Sequence, residues 1–206
     1  EIAKDREGIA GIKYVSFMNI RVAHEKKGCA KEILPYLKNG NSIYNTLLVS
    51  KPGAGKTTCL RDCIRSLSNG KEGWDGMKIC VLDERSEIAA CHLGIPQNDM
   101  GMRTDVLSGC EKSDGMILML RSMSPQIIAV DELGGKKDFQ AVEQAACSGV
   151  RILGTVHADT VEELWEKPYL KKWMKREIFE RFILIRHNRS GERDFQVFNG
   201  KREQLC

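Results

Sequence analysis

The segment Thr46-Leu-Leu-Val-Ser50-Lys-Pro-Gly53-Ala-Gly55-Lys56-Thr57-Thr58 holds the residues best suited to chemistry. It is an apolar strand running into a glycine-rich turn, then Lys-Thr-Thr and a stretch with helical spacing. Such a turn points consecutive backbone N–H groups inward and makes an anion site at a helix N-terminus. Gly53 and Gly55 let the backbone adopt conformations closed to other residues and approach a phosphate closely. Ser50, Lys51, Pro52, Gly53, Ala54, Gly55, Lys56, Thr57 and Thr58 would form this cradle. Lys56 reaches the β- and γ-phosphates, and the Thr57 hydroxyl coordinates Mg²⁺. The pattern G-x-x-x-x-G-K-[ST] opens on glycine, where this chain has Ser50, the smallest residue with a β-carbon and a polar head. These residues imply a nucleoside triphosphate with Mg²⁺.

Carboxylates stand where hydrolysis of that triphosphate would need them. Ile127-Ile-Ala-Val-Asp131-Glu132 is an apolar strand that delivers two adjacent acids. Phosphoryl transfer to water requires a metal anchor and a group that orients the attacking water. Asp131 is expected to hold Mg²⁺ through a water, and Glu132 to position the nucleophile. Asp83-Glu84-Arg85 ends another apolar strand, so Glu84 competes with Glu132 for the role of base; the alternative is a surface cluster with local ion pairing. His157, at the end of Thr155-Val-His157, is placed to bond the γ-phosphate or the water. Arg103 and Arg121 are candidates for stabilising transition-state charge, in the same subunit or a neighbouring one. Arg103 lies with Asp105 and Lys112 in and beside a glycine-punctuated loop, Gly101 to Gly109.

The elements that must carry these residues follow from periodicity. Residues 9–22 alternate as one or two short strands, and Gly28–Leu37 reads as a short helix ending at Asn39-Gly40-Asn41. Strands are expected over Thr46–Val49, Lys78–Leu82, Gln126–Val130 and Arg151–Val156. Helices are expected over Lys56–Leu67, Asp114–Ser122 and Phe139–Ser148. Phe182–Arg186 and Asp194–Phe198 should pair as a hairpin. Strands alternating with helices define an α/β fold with a mainly parallel sheet, whose ligands bind at the C-terminal strand ends. The turn at 39–41 divides the reading: 1–40 as the remnant of a small N-terminal domain, 41–206 as the nucleotide-binding domain ending in the hairpin. The chain begins Glu1-Ile-Ala-Lys within a charged stretch, as expected for a piece of a longer protein.

Composition narrows the class. The 206 residues are 42% hydrophobic and 29% charged with a formal charge of +4, as in an ordinary globular protein. That charge permits contact with nucleic acid or an anionic membrane without demanding either. The basic cluster between Lys167 and Arg193 is interleaved with acids and reads as a solvated face. Eight cysteines form no C-x-x-C pair, which suggests reduced thiols in a cytosol and no zinc site. No apolar run is long enough to cross a membrane.

In order along the chain, Leu120-Arg121-Ser-Met-Ser-Pro125, Asp131-Glu132, Lys137-Asp138, the alanines 141, 145 and 146, Gly149 and Thr155-Val-His157 resemble the secretion or traffic ATPases of type II, type IV and pilus-retraction systems. Glu132 and Asp138 match that family, which usually has Gly-Glu and Arg-Asp there; Asp131 and Lys137 depart from it. Its acidic box resembles Asp83-Glu84 and its histidine box Thr155–His157. Val81-Leu-Asp-Glu-Arg-Ser-Glu-Ile88, Arg103-Thr-Asp-Val-Leu107 and Gly154-Thr-Val-His157 resemble more specifically a sporulation family of this type. The resemblance implies a RecA-like (ASCE) P-loop ATPase using ATP and Mg²⁺, and a homo-oligomer, in the form of a hexamer. It further implies a cytoplasmic site at the mother-cell face of the forespore membrane, with membrane proteins of a secretion-like channel as partners. Two other readings share the residues: a nucleic-acid translocase or helicase, and a nucleotide-gated scaffold with little turnover.

Overall fold

The structure, a computed structural model, describes residues 2–5, 8–18, 25–70, 74–188 and 191–206. Strands Ile2–Asp5 (β1) and Gly8–Ile12 (β2) pair antiparallel. Of the strands expected over 9–22, pairing ends at Ile12; residues 13–18 carry none, and 19–24 lie outside the described residues. The helix expected over Gly28–Leu37 is confined to one turn, Leu34–Leu37 (α1). Pro35 explains the difference, because proline starts a helix but cannot occupy its interior. Upstream, the Ala30 N–H is spent on Asp62 Oδ2 at 2.8 Å, not on a helical ladder.

Lys38–Asn39 (β3) and Ser42–Ile43 (β4) then form a minimal hairpin around Gly40, whose φ is +58°. Ala30, Ile33, Leu37 and Ile43 are buried in the same cluster as Leu48, Leu60 and Ile64. Side chains on both sides of the turn at 39–41 therefore share one core.

The remaining elements are Thr46–Ser50 (β5), Lys56–Asn69 (α2), Ile79–Asp83 (β6), Thr104–Ser108 (β7), Lys112–Ser122 (α3), Ile127–Val130 (β8), Lys136–Cys147 (α4), Arg151–His157 (β9), a 3-10 turn at Glu162–Trp165, Leu170–Lys175 (α5), Arg181–His187 (β10) and Arg193–Asn199 (β11). They build a seven-stranded sheet in the order β11-β10-β5-β9-β8-β6-β7. Every pairing is parallel except β10 with β11. The expected hairpin forms with Phe182 opposite Phe198 and Arg186 opposite Asp194.

Strands β5, β6 and β8 are buried at every residue, which is why each reads as an uninterrupted apolar run. Alternate side chains supply two cores. Leu48, Ile79, Val81, Ile127, Ala129 and Leu153 face α2. Leu47, Val49, Leu82, Ile128, Val130 and Ile152 face α3, α4 and α5.

Among the elements that went unread in the sequence, two bear on the expected site and the basic cluster. The span Gly101–Gly109 is not a loop: Thr104–Ser108 is the edge strand β7, paired parallel to β6. Gly101 and Gly109, with φ of +86° and +72°, mark its ends. Helix α5 lies within the basic cluster. It buries Leu170, Trp173 and Met174 while Lys171, Lys172 and Lys175 are exposed.

Candidate functional site

Because the strands run parallel, Ser50, Asp83, Val130, His157 and His187 all close their strands on one edge of the sheet, and β5 lies beside β9 with Ser50 level with His157. The chain leaves β5 through Lys51–Gly55 and enters α2 with Gly55 as its N-cap at a φ of +90°. Gly53 is also left-handed, at +79°. Both glycines therefore occupy conformations that cost other residues about 1–2 kcal/mol.

Lys56 is 5% exposed. Its Nζ donates to Ser50 O at 3.1 Å, Ser50 Oγ at 3.2 Å and Lys51 O at 3.1 Å, and lies 2.9 Å from His157 Nδ1. Burial pushes its pKa below the ordinary lysine value, against the attraction of Asp131 and Glu132. A buried cation bonded only to carbonyls, a hydroxyl and an imidazole is suited to a phosphate. Ser50, in place of the usual glycine, serves as one of those acceptors.

Thr57 Oγ1 donates to Asp131 Oδ2 at 2.7 Å. Asp131 Oδ1 accepts from the Thr155 hydroxyl and, at 3.1 Å, from the Glu132 N–H. A hydroxyl and a carboxylate this close suit a Mg²⁺ bound to Thr57, with Asp131 acting through water. Among the described residues no group of three or more His, Cys, Asp or Glu side chains could hold a metal ion. Bound there, Mg²⁺ would neutralise charge on the phosphates.

Glu132 has a φ of +53°, costly for a residue with a β-carbon. The strain is held by Glu132 N donating to Thr155 Oγ1 at 2.9 Å and Leu133 N to Thr155 O at 2.8 Å. The resulting turn places Glu132 Oε1 3.2 Å from His157 Nε2 and Oε2 2.8 Å from Arg85 Nη1. Lys56 as ammonium has three hydrogens for these four neighbours, so one is shared; with His157 Nδ1 as an acceptor, Nε2–H donates to Glu132. Burial acts to raise the Glu132 carboxyl, but the His157 bond and the Arg85 charge outweigh it and leave the pKa lowered. The carboxylate stays ionised and able to accept a proton from water.

The other expected site residues fall in different places. Glu84 is near the cluster, but its carboxylate is 2.7 Å from Lys112 Nζ. Its neighbour Asp83, 2% exposed, accepts from the N–H groups of Glu87, Ile88 and Ala89 and so shapes the loop. Arg103 precedes β7 and Arg121 lies in the last turn of α3, both exposed and both at the sheet's opposite edge. The fold does not bring them to this chain's own loop. Sequence reasoning missed two cations here. Arg85 was legible as the residue beyond an acidic strand tip, yet it pairs across strands with Glu132. Lys167, whose ammonium bonds His157 O, had no signal to separate it from the basic cluster.

Two cavities flank the loop. One of ≈ 680 Å³ is lined by Ser50–Ala54, Asp159, Thr160 and Leu184–His187. The other, of ≈ 400 Å³, includes Glu132, His157 and Lys167.

Fold and site together define a protein of the RecA-like P-loop ATPase fold. The solved ATPase DotB of Legionella pneumophila superposes with a TM-score of 0.63 at 16% identity, covering 85% of this chain and 51% of that one. The pilus retraction motor PilT with bound ADP gives 0.60 at 16% identity, covering 85% and 53%. The model of the family "Sporulation stage III, protein AA" matches residues 1–205, and the chain belongs to that family. It is 40% identical over 182 residues to stage III sporulation protein AA of Bacillus subtilis (strain 168). That match covers 88% of this chain and 59% of the relative's length.

Proposed function

We propose that the chain binds ATP with Mg²⁺ in the Ser50–Thr58 loop and hydrolyses it to ADP and phosphate. The observation that carries this reading is the meeting of three strand tips around one helix N-terminus. Thr57 with Asp131 forms a metal-binding pair, and Lys56, His157 and Glu132 form a continuous hydrogen-bonded row. In this reading Lys56 and the loop amides neutralise phosphate charge, Glu132 draws the proton from the attacking water, and His157 links the two. Both Glu132 oxygens are held, by His157 and Arg85, so the water must share or displace one of those bonds.

Family membership and the likeness to the ATPase DotB and the pilus retraction motor PilT support a motor role in sporulation. Copies of the chain would assemble as a ring, a hexamer by analogy, on membrane proteins of a secretion-like channel at the mother-cell side. Among the described residues no helix is long and apolar enough to cross a membrane.

The test is phosphate release and hydrodynamic size measured together, with and without ATP-Mg²⁺, for the natural chain and Lys56→Ala. Turnover in the first and its loss in the second are expected. Equal phosphate release by both variants overturns the site. ATP-dependent assembly without turnover favours a nucleotide-gated scaffold, and turnover rising with added polynucleotide favours a translocase.

A further inference from the structure

Arg193 opens β11, opposite His187 at the turn end of the hairpin, on the same sheet edge as the phosphate loop. Its guanidinium lies against Gly55: a β-carbon there would be 2.6 Å from Arg193 Nη2 and 3.1 Å from Cζ. Nη1 is buried and has no hydrogen-bond partner among the described residues. The charge also bears on the thiol of Cys59, in the first turn of α2, and on that of Cys29. A cation thus rests beside a helix N-terminus that already carries positive potential and a buried lysine. Leaving a buried guanidinium N–H unbonded costs free energy that an anion would recover.

The strand order says which part of the anion. His157 and Glu132 follow β9 and β8, on one side of β5, whereas Arg193 and the ≈ 680 Å³ cavity lie on the β10–β11 side. A triphosphate with its γ-group toward Glu132 extends its other end toward the hairpin. We propose that Arg193 is a nucleotide-binding residue that contacts the α- or β-phosphate, the part common to ADP and ATP. Gly55 is glycine partly because a side chain there would displace this guanidinium.

The inference rests on the nucleotide site proposed above, and titrations of ADP and ATP with the natural chain, Lys56→Ala, Arg193→Gln and Arg193→Lys separate the two. Arg193→Gln should weaken both nucleotides alike, by about 10- to 100-fold. Arg193→Lys, which keeps the charge but loses the fork, should fall between. The thermal midpoint without nucleotide should not drop in Arg193→Gln, since Nη1 makes no bond to lose, while the rise on adding ADP should shrink. If the natural chain binds neither nucleotide, both readings fall. If it binds, Lys56→Ala does not, and both Arg193 variants keep natural ADP affinity, only the role of Arg193 falls. Weakening of ATP alone also overturns the assignment, because it would put the arginine on the γ-phosphate. Should Arg193→Gln not fold, the Lys variant decides: ADP affinity equal to the natural chain refutes the contact.

Discussion

Lys56 is held by two carbonyls, a hydroxyl and an imidazole, and that environment makes its removal informative. Lys56→Ala should abolish measurable ADP and ATP binding, read by calorimetric titration; affinity within threefold of natural would contradict the cradle. Glu132→Gln should keep nucleotide affinity and slow phosphate release by about 100-fold or more, since the amide cannot take a proton. Glu84→Gln should slow it less, because Glu84 pairs with Lys112 and is not bonded to the Lys56–His157 row that Glu132 ends. The reverse ranking would exchange their roles. The lowered Glu132 pKa also sets a pH window. An acid whose folded pKa is depressed stays ionised, and contributes to stability, above the unfolded carboxyl value; both are lost as pH falls through the lowered value. Turnover should therefore hold from neutrality into the acid range and decline only below the ordinary carboxyl range of about 4.3. A decline centred near pH 6 would point to another base.

At the scale of elements, the strand ends matter more than the strands. Asp83 looks in sequence like half of an acidic pair, yet it is buried and bonded to three consecutive N–H groups of the loop after β6. Asp83→Ala should cost about 2–4 kcal/mol and lower the thermal midpoint by about 5–15 °C, measured by circular dichroism. A shift under two degrees would mean the loop is held by something else. The fully buried strands were legible because an inner strand of a parallel sheet must be apolar on both faces. The edge strand β7 was not, because Thr104–Ser108 is paired on one side only, with Asp105 exposed and the other four residues half-buried, so it lacks an apolar run. Helix α5 escaped notice because it is only six residues long: Leu170, Trp173 and Met174 have helical spacing, but the run is too short to stand out among the lysines around it.

At the scale of the molecule, the two arginines expected to stabilise transition-state charge mark the far edge of the sheet. Arg103→Ala and Arg121→Ala should each leave ADP affinity within about twofold of natural, because neither reaches the loop of its own chain. If turnover nevertheless falls with binding intact, the arginine acts on a neighbouring copy. That result would be checked by mixing each variant with Lys56→Ala chains and measuring whether phosphate release returns.

The mainly parallel sheet, the phosphate loop, the acids at 131 and 132 and the terminal hairpin could all be read from the sequence. They rest on local rules: apolar runs for buried strands, glycine for left-handed backbone, and ligand binding at C-terminal strand ends. What needed the tertiary structure were contacts between residues far apart in the chain. Arg85 with Glu132, Lys167 with His157, Thr155 bridging Asp131 and Glu132, and Arg193 over Gly55 depend on strand neighbours and side-chain reach. Residue type and spacing state what a side chain can do, but only the packed sheet decides which other side chain it meets.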